Sequence, residues 1–162
     1  MGSKRYLVAA FIIAFMVMAV VPLWFVLGVV GGEEAHQHGG GATVSKEWFR
    51  DKIQVQQDKY GLPDGSVQLP PGSTVYILAQ QFAFVPSTVR LVFGGNYEFI
   101  FFSSDVYHGA SLIQSGSSNS VLPPNMTAKV SIRATQLGEI QLLCNEYCGA
   151  GHHLMKGKII VE

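Results

Sequence analysis

Residues 74–102 read TVYILAQQFAFVPSTVRLVFGGNYEFIFF, and their composition decides the fold. Three short runs, Thr74–Ala79, Thr88–Phe93 and Tyr97–Phe102, are dense in Val, Ile, Tyr and Phe and are punctuated by Pro, Ser, Gly and Asn. β-Branched and aromatic side chains suit a pleated, half-buried surface and the punctuating residues suit turns, so the stretch predicts strands. The same grammar continues downstream in Ala128–Ala134, Glu139–Cys144 and Lys158–Val161. Within it, Lys129–Arg133 (KVSIR) alternates polar with apolar, the pattern of a half-buried antiparallel strand. Pro86, Pro123 and Pro124 fall between the runs, where a missing N–H donor does no harm. Six strands at intervals of roughly ten residues with no helix between them predict an all-β sandwich or barrel over residues 61–162. No internal repeat is visible.

Upstream the sequence changes character. From Tyr6 to Val30 there is no charge, and every residue but Pro22 and Gly28 is apolar or aromatic. At about 1.5 Å per residue this run is about 37 Å long, enough to cross a hydrocarbon core of about 30 Å. It is too long for the apolar region of a cleaved secretory signal, and Val29-Val30-Gly31-Gly32 is a poor cleavage site. The expectation is one N-terminal transmembrane helix over 6–30. Lys4 and Arg5 precede it and Glu33 and Glu34 follow it, which places residues 1–5 in the cytoplasm and the rest on the outer face.

The 162 residues hold eleven Lys plus Arg and eleven Asp plus Glu, so the chain has no basic excess with which to neutralise phosphates, and a nucleic-acid partner is excluded. A chain of this length also excludes a multidomain enzyme. Past residue 30, nine basic residues face eleven acidic ones, a formal charge of −2 typical of an ordinary soluble domain. Residues 31–42 (GGEEAHQHGGGA) contain five glycines and nothing apolar larger than Ala, which predicts a flexible linker with His36 and His38 as solvated spacers. Over 43–60, Val44, Trp48, Phe49, Ile53 and Tyr60 recur near helical spacing, predicting an amphipathic helix capped by Thr43 or Ser45. Its aromatic pair suggests a membrane surface or a partner.

The chemistry is concentrated in residues 144–155, CNEYCGAGHHLM. Both cysteines of the chain lie here, with His152 four residues after the second and Met155 three beyond that. Thiolate, imidazole and thioether are soft and borderline donors that favour copper over hard cations. The stretch joins two predicted strands, so it forms a loop at one end of the sandwich. A disulfide would leave the histidine and methionine unexplained. A tetrahedral zinc site has no use for Met155. A single blue copper needs only one cysteine. The arrangement that uses everything lets both sulfurs bridge two coppers, and His108 is the best candidate for the second imidazole that such a pair needs.

Cys-x-Glu-x-Cys-x-x-x-His-x-x-Met, with a histidine 36 residues before the first cysteine, resembles the binuclear CuA site in subunit II of haem-copper cytochrome c oxidases. With one anchor and the segments Val75–Ala79 and Ser104–Gly109, the chain is most similar to the B-type, ba-type branch. The resemblance implies a cupredoxin-like Greek-key β-sandwich on one N-terminal transmembrane helix. It further implies that Cys144 and Cys148 bridge two copper ions, that His108 and Met155 serve one of them, and that His152 and the backbone carbonyl of Glu146 serve the other. The Glu146 side chain resembles a carboxylate associated with magnesium in the A-type branch, which leaves a magnesium role open. The tryptophan-rich segment through which A-type subunits accept electrons is missing.

The implied function is to accept electrons from a cytochrome c and pass them to haem in subunit I, where oxygen is reduced to water and protons are translocated. The chain would be single-pass in the plasma (inner) membrane, in contact with lipid, with its copper domain on the periplasmic side. No acid–base pair or nucleophile is apparent, and the chain by itself would not reduce oxygen. The alternatives are the CuA subunit of a nitric oxide reductase and a membrane-anchored copper chaperone. Chaperones with this cysteine spacing resemble thioredoxin, whose alternating helices and strands are not found here.

Overall fold

The computed structural model describes residues 2–26, 43–113 and 117–162. They divide into two compact units, the N-terminal helix and the rest of the chain. The helix, α1, runs over Gly2–Val26. Its described side chains, residues 6–18, are all exposed, and at about 1.5 Å per residue they cover only about 20 Å. Among the described residues no helix is long and apolar enough to cross a membrane. The expected span continues to residue 30, and residues 27–30 lie outside the described part. So does the expected linker at 31–42 with His36 and His38.

In the second unit the described residues form α2 (Lys46–Tyr60) and two packed sheets. The strands are β1 (Val67–Leu69), β2 (Thr74–Gln80), β3 (Ala83–Val85), β4 (Thr88–Leu91), β5 (Asn96–Ser103), β6 (His108–Ile113), β7 (Ser117–Leu122), β8 (Thr127–Arg133), β9 (Gly138–Leu143) and β10 (Lys156–Val161). One sheet has the order β1-β4-β10-β9-β6-β7 and the other β3-β2-β5-β8. Because the chain passes from β4 to β5 and back to β6, consecutive strands change sheets, as in a Greek-key sandwich. This is the expected cupredoxin-like architecture.

Val75, Ile77 and Ala79 of β2 and Phe99 and Phe101 of β5 meet Val89, Leu91, Ile140, Leu142 and Ile159 of the facing sheet in one buried cluster. The opposite face of β2 and β5 is apolar as well. Leu78 and Phe102 pack there with Phe49 and Ile53 of α2, the Phe49 ring stacking 4.9 Å from that of Phe102. Gln56 fastens the helix by donating to the Tyr76 carbonyl at 3.0 Å and accepting from the Tyr76 N–H at 2.8 Å. Near-continuous apolar runs in β2 and β5, rather than strict alternation, are the sequence sign that both faces are covered.

This corrects one expectation. The amphipathic helix does form, and Ser45 caps it by accepting from the Trp48 N–H at 3.1 Å. Its apolar face, however, lies on the chain's own sheet, with Phe49 fully buried. Only Trp48 of the aromatic pair is exposed, and Lys52 lies over its ring. The six expected strands are present with ends shifted by up to two residues. Sequence pattern missed four. β1 and β3 have three residues each, and β7 (SSNSVL) owes its strand to pairing with β6 rather than to propensity. His108, which lies between the expected strands, opens the fourth, β6.

Candidate metal centre

The segments that carry the candidate ligands meet at one end of the sandwich because of strand register. β9 and β10 pair with Leu143 opposite Lys156, so residues 144–155 form an excursion closed by the Cys144 N–H donating to the Met155 carbonyl at 3.2 Å. β6 lies on the other side of β9 with Ser111 opposite Leu143, which carries His108 alongside the start of that excursion. Within it, Gly149 adopts φ +129, a conformation rare for residues with a side chain. A single 3-10 turn, His152–Leu154, then returns the chain to β10.

All six residues singled out in the sequence come together here. The two cysteines are free, with Sγ atoms 3.8 Å apart. His108 Nδ1 is 3.8 Å and the Glu146 carbonyl oxygen 3.2 Å from Cys144 Sγ. His152 Nδ1 is 3.6 Å and Met155 Sδ 3.7 Å from Cys148 Sγ. His108, Cys144, Cys148 and Met155 are buried and His152 is half-buried. Among the described residues, His108, Cys144 and Cys148 form the group of His, Cys, Asp or Glu compact enough to hold an ion, their donor atoms all within 4.8 Å of one another. A sulfur pair 3.8 Å apart is closer than two metal–thiolate bonds of about 2.3 Å end to end, so one ion reaches both sulfurs, and an ion can do so on either side of the S–S line. The donors therefore fit soft metal ions. The Glu146 carboxylate belongs to no such group.

A cytochrome c oxidase subunit 2 from Thermus thermophilus is 35% identical to this chain over 97 residues, which cover 59% of the chain and 71% of that relative. The chain belongs to the cytochrome c oxidase subunit 2 family. A second Thermus thermophilus subunit 2 is 35% identical over the same length, covering 57% of it. A chain of a haem-copper terminal oxidase dimer solved by cryo-EM matches in fold over the full length of both chains, with TM-score 0.51 and 22% identity. Rusticyanin from Thiobacillus ferrooxidans shares the fold over 74% of this chain and 95% of its own, with TM-score 0.53 and 15% identity. No protein-family model matches the chain.

Around this site the structure adds groups that the sequence left unassigned. Asp105 Oδ1 faces His108 Nε2 at 2.7 Å and accepts from the Val106 N–H at 2.7 Å, while Oδ2 accepts from the Gln81 N–H at 2.7 Å. With Nε2 held by a carboxylate, a neutral ring keeps its proton there, which leaves Nδ1 to offer its lone pair to a metal ion held between it and the sulfurs. An Asp three residues before a candidate ligand was the available signal. Gln81, 67 residues from Cys148, gave none.

In the metal-free site burial opposes ionisation of Cys144, but hydrogen bonds from the His108 side chain and the Gly109 N–H outweigh it and lower the thiol to about 6. Cys148, buried beside that thiolate, is pushed up to about 11. Burial likewise opposes charge on His108, yet Cys144 and Asp105 together raise it. Asp105 is lowered despite its burial because the N–H groups of Gln81 and Val106 and the His108 ring all donate to it.

Proposed function

We propose that this chain is the electron-accepting subunit of a membrane-bound terminal oxidase and that its loop site holds a binuclear CuA centre. The observation that carries this reading is the ring of four further donors, His108, Glu146 carbonyl, His152 and Met155, around two free sulfurs that one ion can bridge. Cys144 and Cys148 would each touch both coppers, with His108 and Met155 completing one and His152 and the Glu146 carbonyl the other. When bound, the pair supplies a one-electron couple whose charge is shared between two metals.

The rest is the work of this chain's residues. Asp105 keeps His108 in one tautomer and orientation. The strands on either side of the loop keep the donors in place whichever redox state is present, which keeps the rearrangement on electron transfer small. Burial of both sulfurs and of Met155 keeps water from them. Phe82, Tyr107, Tyr147 and Leu154 stand exposed on the ligand-bearing loops and the neighbouring β2–β3 turn, a surface suited to a mainly apolar contact with cytochrome c. With a formal charge of only −2 past residue 30, the rate of that reaction should depend weakly on ionic strength.

In this reading α1 belongs to an anchor over 6–30 that crosses the plasma membrane with residues 1–5 inside. The sandwich then stands on the periplasmic side against subunit I, which carries the haems and reduces oxygen. The Glu146 carboxylate remains a candidate for magnesium at that boundary. The test is copper reconstitution of the full chain in mild detergent, with metal analysis and electron paramagnetic resonance. Two equivalents with a seven-line mixed-valence signal, lost on His108→Ala, support the centre. Saturation at one equivalent with a four-line signal, or preference for zinc, refutes it.

A further inference from the structure

The turn between β2 and β3, Gln81 and Phe82, contains none of the proposed ligands, yet it touches both segments that do. The Gln81 side-chain amide donates to the Cys148 carbonyl. Its backbone N–H donates to Asp105 Oδ2 at 2.7 Å, and the other oxygen of that carboxylate faces His108 Nε2 at 2.7 Å. One residue is thus bonded to the bridging-cysteine loop and, through Asp105, to the imidazole that opens β6. Phe82 fits the same loop. A Cβ on Gly149 would lie 2.8 Å from Gln81 Nε2 and 3.0 Å from the Phe82 ring, and one on Gly151 would lie 2.5 Å from that ring. The two glycines leave the room that the turn occupies. Ser104 closes the contact from the other side, its N–H donating to the Ala79 carbonyl at 3.0 Å.

We infer that the β2–β3 turn is a strap across the two ligand-bearing segments, with Gln81 the positioning residue that holds the Cys148 carbonyl through its side chain and the His108 carboxylate partner through its backbone. The inference rests on the reading of the loop as a copper site. Pulling the Cys148 carbonyl toward Gln81 fixes the peptide plane after the second sulfur, and hence the direction in which that sulfur points. The strap slows loss of copper and fixes the electronic symmetry of the site, because any tilt of Cys148 changes its two metal–sulfur bonds unequally.

The test uses the full chain in detergent, loaded with copper, and two variants that keep the length of the side chain. Gln81→Met removes the donor, and Gln81→Glu sets a carboxylate against the carbonyl. Copper extraction by the cuprous chelator bicinchoninate should be about five-fold faster for the Met variant, as expected for one hydrogen bond to a backbone carbonyl, and faster again for Glu. Both variants should show an altered copper hyperfine pattern, and in metal-free protein the thiols should react faster with a disulfide reagent. The thermal midpoint of the metal-free variants should stay within about 2 °C of the parent, since the side chain is exposed and buries little apolar surface. Parent-like extraction rates and spectra in both variants overturn the inference, as does a fall in midpoint large enough to account for the faster extraction. The parent's copper stoichiometry tests the binuclear reading separately, because a parent that binds one copper sinks that reading while the variant-to-parent ratio still decides the strap.

Discussion

Asp105→Asn tests most directly how the site is held. The carboxylate accepts from three donors: the Val106 N–H and His108 Nε2 at Oδ1 and the Gln81 N–H at Oδ2, each at 2.7 Å. An amide of the same shape has only one acceptor oxygen. If that oxygen stays toward His108, the amide NH2 confronts the Gln81 N–H, donor against donor. If it turns toward Gln81, the NH2 points at His108 Nε2, which must then lose its proton, and the proton moves to Nδ1 where the metal should bind. Either orientation is penalised, and the second abolishes the ligand. Loss of a partner that orients a metal-binding histidine typically costs about 10- to 100-fold in affinity, about 1.4 to 2.8 kcal/mol. Because Asp105 is about one-third exposed, water relieves part of the conflict and the lower half of that range is expected. The assay is competition for cuprous ion against a chelator of known affinity, with far-UV circular dichroism as the check on folding. Parent-like affinity in a folded Asp105→Asn protein would refute the argument that this carboxylate sets the His108 tautomer.

The pH dependence of copper uptake follows from the two thiols. With Cys144 lowered to about 6 and Cys148 pushed up to about 11, the metal-free site near neutral pH holds a thiolate beside a thiol. Binding must expel the Cys148 proton and any proton on His108, so loading at pH 7.5 should release between one and two protons per site, and affinity should fall more steeply once pH drops below 6. A titration in weak buffer that detects no release would contradict this. Phe49→Ala should destabilise the metal-free protein by about 3–5 kcal/mol in denaturant unfolding, since it empties a fully buried position between α2 and Phe102. A loss below about 1 kcal/mol would mean that α2 is not held by that ring. Asp64 is lowered to about 2, first by the hydrogen bonds from the Ser66 hydroxyl and N–H and then by Arg90. Its folded value lies below the unfolded one, so its contribution is present above about pH 4 and is lost as pH falls toward 2. Asp64→Asn should therefore flatten the acid-unfolding curve in that window, and an unchanged curve counts against the Asp64–Ser66–Arg90 cluster.

The legibility of the chain differed sharply between chemistry and contact. Cys144, Cys148, His152 and Met155 are local in sequence, and soft donors at close spacing carry their meaning without a fold. His108 was legible only as the best candidate for a second imidazole, in a stretch between the expected strands Tyr97–Phe102 and Ala128–Ala134. Pairing with β7 and β9 makes it the first residue of a strand. Helix α2 was recognised from its periodicity, but which surface its apolar face would cover was not. That depended on Leu78 and Phe102, which lie on the face of β2 and β5 turned away from the facing sheet.

The sequence by itself determined the donor set, the strand-rich composition and an apolar N-terminal run long enough to span a bilayer, because residue type, period and length are properties of a chain before it folds. Only the tertiary structure decided that Glu146 offers its carbonyl to the Cys144 sulfur, that Asp105 holds His108, and that Gln81 reaches Cys148. Those relations depend on strand register and on the direction of individual side chains. Register is set by the combined burial of two sheets, and no local window of sequence contains both sides of that contact.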